Sequence, residues 1–165
     1  MRILEAVASA LALFLIASPA FAAAPQLSAA DQQAAFKAAG FALHGKSWRS
    51  ACDDPDTASY TPGTIETVSD LNGDGRLEAV VTEGSSYCYG MAGTAFSIVS
   101  KQANGRWKVM TSGTGIVSFL PTKGAGGWPD IEIGGPGFCF PVQRWNGREY
   151  RLHGYQYEGK ICKPS

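Results

Sequence analysis

The sequence predicts a mainly β protein: a small antiparallel β-sandwich, or two blade-like sheets, with one N-terminal helix. Three observations carry that expectation. Glycine is abundant, 20 of 165 residues, as short strands joined by tight turns require. Between Asp70 and Tyr157, β-branched and aromatic runs alternate with turn residues, and Asn104-Gly105 and Asn146-Gly147 stand among them as short-hairpin signals. Only residues 27–43 carry apolar side chains at helical spacing.

In chain order, residues 1–22 have the form of a signal peptide. Arg2 precedes an apolar run from Ala6 to Ala17, and Ala20 and Ala22 flank Phe21 as a small-residue cleavage site. The apolar run is shorter than the ~20 residues a spanning helix needs, so no membrane span is expected after cleavage. Residues 23–165 then form a single domain of roughly 140 residues, enough for one real core. In "LSAADQQAAFKAAGFAL" Ser28 is placed to cap a helix, with Asp31 three residues on in a short version of the capping box. Ala35, Phe36, Ala39 and Leu43 supply its apolar face, and Gly40 and Gly45 offer ends. The following stretch, with Cys52 and "DDPD", is expected to be a loop with a solvated turn, leading to a strand near Thr64–Val68. Further strands are expected at "RLEAVVTE", "GTAFSIVSK", "GRWKVMTS", "GIVSFLP", "PDIEIGG" and on both sides of Asn146-Gly147. In "PDIEIGG", Ile131 and Ile133 fall on one face and Asp130 and Glu132 on the other.

Charge and cysteine narrow the function classes. With 14 basic and 14 acidic residues and no basic cluster, nothing points to nucleic acid. Cys52, Cys88, Cys139 and Cys162 are too widely spaced for a zinc site, and an even number in an exported chain predicts two disulfides. The location expected is therefore periplasmic or secreted.

Residues 64–112 and 115–158 share an order of signals: glycine, a strand with an acid, aromatic-Cys-aromatic, a strand, Asn-Gly-Arg and an aromatic strand. An internal duplication explains this. It aligns Glu78 with Asp130 and Cys88 with Cys139. Three disulfide pairings are open; equivalent places in adjacent sheets favour Cys88–Cys139, leaving Cys52–Cys162.

"DLNGDGRLE" carries the most specific chemistry. Asp70, Asn72 and Asp74 occupy positions 1, 3 and 5 of a tight loop, and Gly73 and Gly75 permit the positive φ that such a bend needs. The Arg76 carbonyl is the natural fourth oxygen, and Glu78 at position 9 adds a carboxylate. Three acids in one bend repel each other without a cation, which points to Ca2+ in a structural role. Val81 at position 12 excludes an EF-hand. The loop, followed by a hydrophobic strand, resembles the calcium loops of FG-GAP and VCBS-type repeats. The resemblance is close over Asp70–Val81 and loose as far as Met110. It implies a blade-like unit in which Asp70, Asn72, Asp74, Arg76 and Glu78 surround the ion. A closed propeller needs 4–8 blades, and this chain has length for two. "KGAGGWPD" in the second unit keeps only Asp130 of the ligand pattern.

No nucleophile elbow is present: "EGSSYCYG" and "TSGTG" lack the spacing, so Ser85, Ser86 and Ser112 are expected in turns. His44 and His153 are expected as surface or packing residues. The function expected is an exported, non-enzymatic binding or scaffold module for a protein or carbohydrate ligand, an inhibitor of an envelope-targeting hydrolase being one form of it. Most aromatics are expected to pack the core or cover the disulfides; Tyr87, Tyr89, Phe138 and Phe140, which flank Cys88 and Cys139, would supply a contact patch where they share an exposed face. The competing class is a small cell-wall or polysaccharide hydrolase, with carboxylates drawn from Glu83, Asp130 and Glu132.

Overall fold

The computed structural model describes residues 25–164, so the expected signal segment lies outside the described residues. Helix α1 (Ala29–Ala38) comes first. The first sheet follows, with strands β1 (Ala42–His44), β2 (Ser47–Arg49), β3 (Thr61–Ser69), β4 (Glu78–Gly84), β5 (Thr94–Lys101) and β6 (Trp107–Thr114). The second sheet holds β7 (Ile116–Lys123), β8 (Pro129–Gly134), β9 (Phe140–Trp145), β10 (Tyr150–Tyr157) and β11 (Lys160–Ile161). A four-residue helix, α2 (Ser86–Tyr89), lies between β4 and β5. Each strand pairs antiparallel with its sequence neighbour, so both sheets are meanders, and both curl.

Helix α1 begins where the sequence predicts. The Ser28 hydroxyl accepts the Asp31 amide at 3.1 Å, satisfying one of the open N-terminal donors. The Asp31 carboxylate accepts the Ser28 hydroxyl at 3.1 Å in return, and also takes Lys101 at 2.9 Å and the Trp107 indole at 3.0 Å, pinning the helix to the end of β5 and the start of β6. The chain turns away at Ala39–Gly40, and the Phe41 amide closes on the Phe36 carbonyl at 2.9 Å. Leu43, expected on the helical face, is instead exposed in β1. The β1–β2 hairpin, with Gly45 at its tip, occupies part of the stretch expected as loop.

Two cores result. Beneath α1, Leu27, Ala35, Phe36 and Phe41 meet Ala79, Val81 and Val99, and Phe36 stacks on Trp48 with ring centroids 4.7 Å apart. Between the sheets, Val80, Phe96 and Ile98 meet Trp128, Ile131, Trp145 and Tyr150. The run Ala79-Val80-Val81 serves both, as expected of a strand buried on two faces. The chain passes from β6 to β7 through Gly115, whose φ is +122° and where a Cβ would lie 2.4 Å from the Gly134 carbonyl.

That crossing fixes which loops share an end. Gly84 pairs with Thr94, the Thr94 carbonyl accepts the Gly115 amide at 2.9 Å, and Ile116 pairs with Gly134. The β4–β5 and β8–β9 connections, which carry Cys88 and Cys139, therefore emerge together. They are not joined to each other. The disulfides are Cys52–Cys88 and Cys139–Cys162, with Cα separations of 5.9 and 5.7 Å, which corrects the expected Cys88–Cys139 and Cys52–Cys162. Each connection is bridged to the segment packed on its own sheet: the 50–57 loop is held to β4 and α2 by hydrogen bonds, and β11 folds back on β10. Two disulfides belong to an oxidising, extracytoplasmic environment. Among the described residues no helix is long and apolar enough to cross a membrane.

Candidate functional site

The Asp70–Glu78 loop leads from β3 into β4 at the end of the sheets opposite the disulfides. Asp70 organises it: its two carboxylate oxygens accept the amides of Gly73 (2.8 Å), Asp74 (3.1 Å) and Gly75 (2.8 Å). Asp74 takes the Asn72 side-chain amide at 2.9 Å, the Arg76 backbone amide at 2.9 Å and the Arg76 guanidinium. Burial alone would raise Asp74, but these donors hold it below its ordinary value. Asp70, Asn72, Asp74 and Arg76 are thus brought together, with the guanidinium as the positive charge at the loop.

Glu78 faces elsewhere. Fully buried (0 % exposed), it accepts the Leu71 amide and the Ser100 hydroxyl, both at 2.8 Å. Its burial, helped by the charges of Asp74 and Asp70, pushes its carboxyl up despite those two bonds. Among the described residues no three His, Cys, Asp or Glu side chains converge closely enough to hold a metal. The side-chain donors that fit a hard cation are the oxygens of Asp70, Asn72 and Asp74, and an ion there would take the place of the Arg76 guanidinium.

Two further carboxylates, both among the candidate hydrolase acids, are buried. Glu83 of β4 accepts the Ser50 amide (3.0 Å), the Ser50 hydroxyl, the Tyr60 hydroxyl (2.9 Å) and the Tyr89 hydroxyl (2.6 Å). Burial would raise it, yet these donors together hold it below the usual carboxylate range. Burial and the Glu83 charge push Tyr89 up to about 12. Asp130 of β8 takes a two-point bond from Arg144 (2.9 and 2.6 Å) and the Thr122 hydroxyl (2.6 Å). The Arg144 bonds outweigh burial and lower it. Glu83 and Asp130 lie on different sheets, while Glu132 is only half-buried. Asp54, expected in a solvated turn, is buried: it accepts the Ser85 hydroxyl at 2.5 Å and the Thr57 amide at 2.7 Å, which together with the Thr57 hydroxyl outweigh burial and lower it.

Ser85 caps α2 through the Cys88 amide at 3.0 Å, whereas Ser112, expected in a turn, stands within β6. His44 and His153 are both exposed. Trp128, Trp145 and Tyr150 pack the core, as most aromatics were expected to. Tyr87, Met91, Ile116, Phe138 and Ile161 are exposed, and all lie at the disulfide-bearing end. Phe138 sits edge-on to Tyr157 with centroids 5.1 Å apart. Ser50 and Tyr60 around Glu83 are site residues that sequence reasoning missed, the nearness of Ser50 to Cys52 being the one signal; Tyr89, a candidate for the contact patch, instead gives its hydroxyl to Glu83. No family model, no curated protein and no solved structure matches this chain.

Proposed function

We propose that the protein is an exported, non-enzymatic binding module whose disulfide-braced end is its contact surface. The observation that carries this is the gathering of exposed apolar side chains there, with Met91 88 % and Phe138 77 % exposed. Large apolar and aromatic side chains left in water at one end of a small domain mark a protein contact. Two disulfides stiffen the loops that present them, which lowers the ordering cost of association. The buried acids support binding over hydrolysis: Glu83 and Asp130 spend their oxygens on internal donors, and neither is raised toward the neutral range that a general acid needs. A partner of this kind includes a hydrolase that attacks the envelope, which the module would block.

The loop at the opposite end is proposed to hold Ca2+ as a structural ion, through the side chains of Asp70, Asn72 and Asp74 and the carbonyl of Arg76, with the charge of Glu78 behind them. Its support is the chemistry of the donor set, all hard oxygen.

The test immobilises the protein and exposes it to native envelope extract, with and without a calcium chelator. Expected is a partner retained by the natural chain and lost by Phe138→Ala/Met91→Ala at unchanged Tm. Equal retention by that variant, or no partner at all, removes the contact surface. Release of reducing ends from wall polysaccharide that disappears in Glu83→Gln would replace binding by hydrolysis.

A further inference from the structure

Helix α1 covers its face of the first sheet only as far as Ala39. Beyond it, toward the disulfide end, lies a pocket of about 280 Å³ between the end of the helix, β4, β5, β6 and α2. Its apolar wall includes Phe41 and Val81, and its polar wall is made of hydroxyls: Ser50, Tyr89, Ser97 and Ser112. No charged side chain lines it. Ser97 and Ser112 are direct cross-strand partners, so both hydroxyls project from the same face of the sheet.

Ser97 marks this space as more than a packing gap. It is only 9 % exposed, and its hydroxyl makes no hydrogen bond within the described chain. Every fully enclosed polar side-chain atom among the described residues has a partner, so the Ser97 oxygen is not enclosed but opens into the pocket, where its whole hydrogen-bonding capacity is left for whatever enters. Tyr89 and Ser50 are fixed differently. Both donate their protons to Glu83 behind the wall; Ser50 also accepts the Cys52 amide at 3.0 Å, and what capacity either oxygen has left is as an acceptor. Ser97 and Ser112 can rotate to donate or accept.

We propose that this pocket binds a neutral polyhydroxylated ring, a single sugar residue whose hydroxyls meet Ser50, Tyr89, Ser97 and Ser112 and whose apolar edge meets the half-buried Ala39 and Ala95. The absence of lining charge excludes phosphate, carboxylate and ammonium groups as the principal contact. A volume just under the roughly 300–1,000 Å³ of drug-sized sites limits the ligand to about one ring. The ring is either a free monosaccharide or the terminal unit of a glycan. This goes beyond the apolar contact surface and does not depend on it.

The experiment records amide chemical shifts of the full mature chain during titration with glucose, N-acetylglucosamine and the trimer of each. Expected are saturable shifts at Ser97, Ser112, Ser50 and Tyr89 with at least one probe. A tighter response to the trimer identifies a glycan end, and an equal one a free sugar. Ser97→Ala should weaken binding about three- to tenfold, the worth of one hydrogen bond, and Ser112→Leu, which fills the mouth from an exposed position, should abolish it at unchanged Tm. Phe138→Ala/Met91→Ala should leave it intact, which separates failure here from failure of the contact surface. No shift at the four amides with any probe, or full binding by Ser112→Leu, overturns the proposal.

Discussion

At Glu83, four donors converge on one buried carboxylate, and their sum decides its titration. Burial disfavours the charged form, yet the Ser50, Tyr60 and Tyr89 donors favour it more, so the folded-state value lies below the unfolded one. A carboxyl lowered on folding contributes stability above its unfolded value, about 4.3, and loses it as pH falls through the folded value. Glu83→Gln should therefore cost about 1–3 kcal/mol near neutral pH, because an amide cannot accept from all four donors and leaves one or more unpaired. Urea midpoints of the two proteins should converge as pH drops into the range where the natural carboxyl is itself protonated. A gap that stays constant at low pH would show that Glu83 acts by shape alone. None of this was legible in "VVTEGSS". The Ser50 partner stands 33 residues away, and a lone strand acid bears no mark of whether its donors arrive from a distant loop.

At the scale of elements, what was legible followed local periodicity, and what was not depended on tertiary partners. Ser28, the Ala-rich run and Phe36 announced α1, and Asn104-Gly105 and Asn146-Gly147 stand in turns that join consecutive antiparallel strands. Leu43 was misassigned because its spacing continues the helical pattern past Gly40, where the backbone leaves it. The disulfide pairing failed for a related reason. The likeness of the two aromatic-Cys-aromatic segments suggests a bridge between them; the segments do emerge at one end, but pairing depends on which segment packs beside each one. Two predictions belong here. Phe36→Ala removes a ring packed on Trp48 and Phe41 and should cost about 3–5 kcal/mol, read from urea unfolding. Cys52→Ser/Cys88→Ser opens a link spanning 36 residues and should cost about 3–4 kcal/mol by loop-closure entropy. It should also raise amide exchange in residues 50–60, whereas an unchanged exchange pattern would mean the Glu83 and Asp54 bonds alone hold that loop.

At the scale of the molecule, the candidate calcium loop is also a corner of the sheet–sheet junction. Leu71 packs against the inter-sheet core, Glu78 is buried beneath it, and the Asn72 carbonyl lies so close to Gly127 that a Cβ there would sit 2.5 Å away. Gly127 has φ +78°, so any side chain is strained twice, by backbone and by contact. "KGAGGW", a poor ligand sequence, thus serves as the surface on which the first loop rests. An ion that tightened the loop would tighten the docking of the two sheets, and its effect should appear in global stability. With dissociation constants on the order of 10⁻⁴–10⁻³ M, typical of extracellular modules, about 10 mM Ca2+ would add roughly 1.4–2.7 kcal/mol by mass action. For a domain of this size that is a Tm rise of about 3–10 °C. Asp74→Ala should abolish the rise. Gly127→Ala should lower Tm in the absence of metal and blunt the response, because it displaces the loop backbone without touching a ligand. A response intact in Gly127→Ala but absent in Asp74→Ala would confine the ion to the loop. No rise in the natural protein, with no heat of binding on titration at millimolar Ca2+, would leave Arg76 as the cation that the loop evolved to hold.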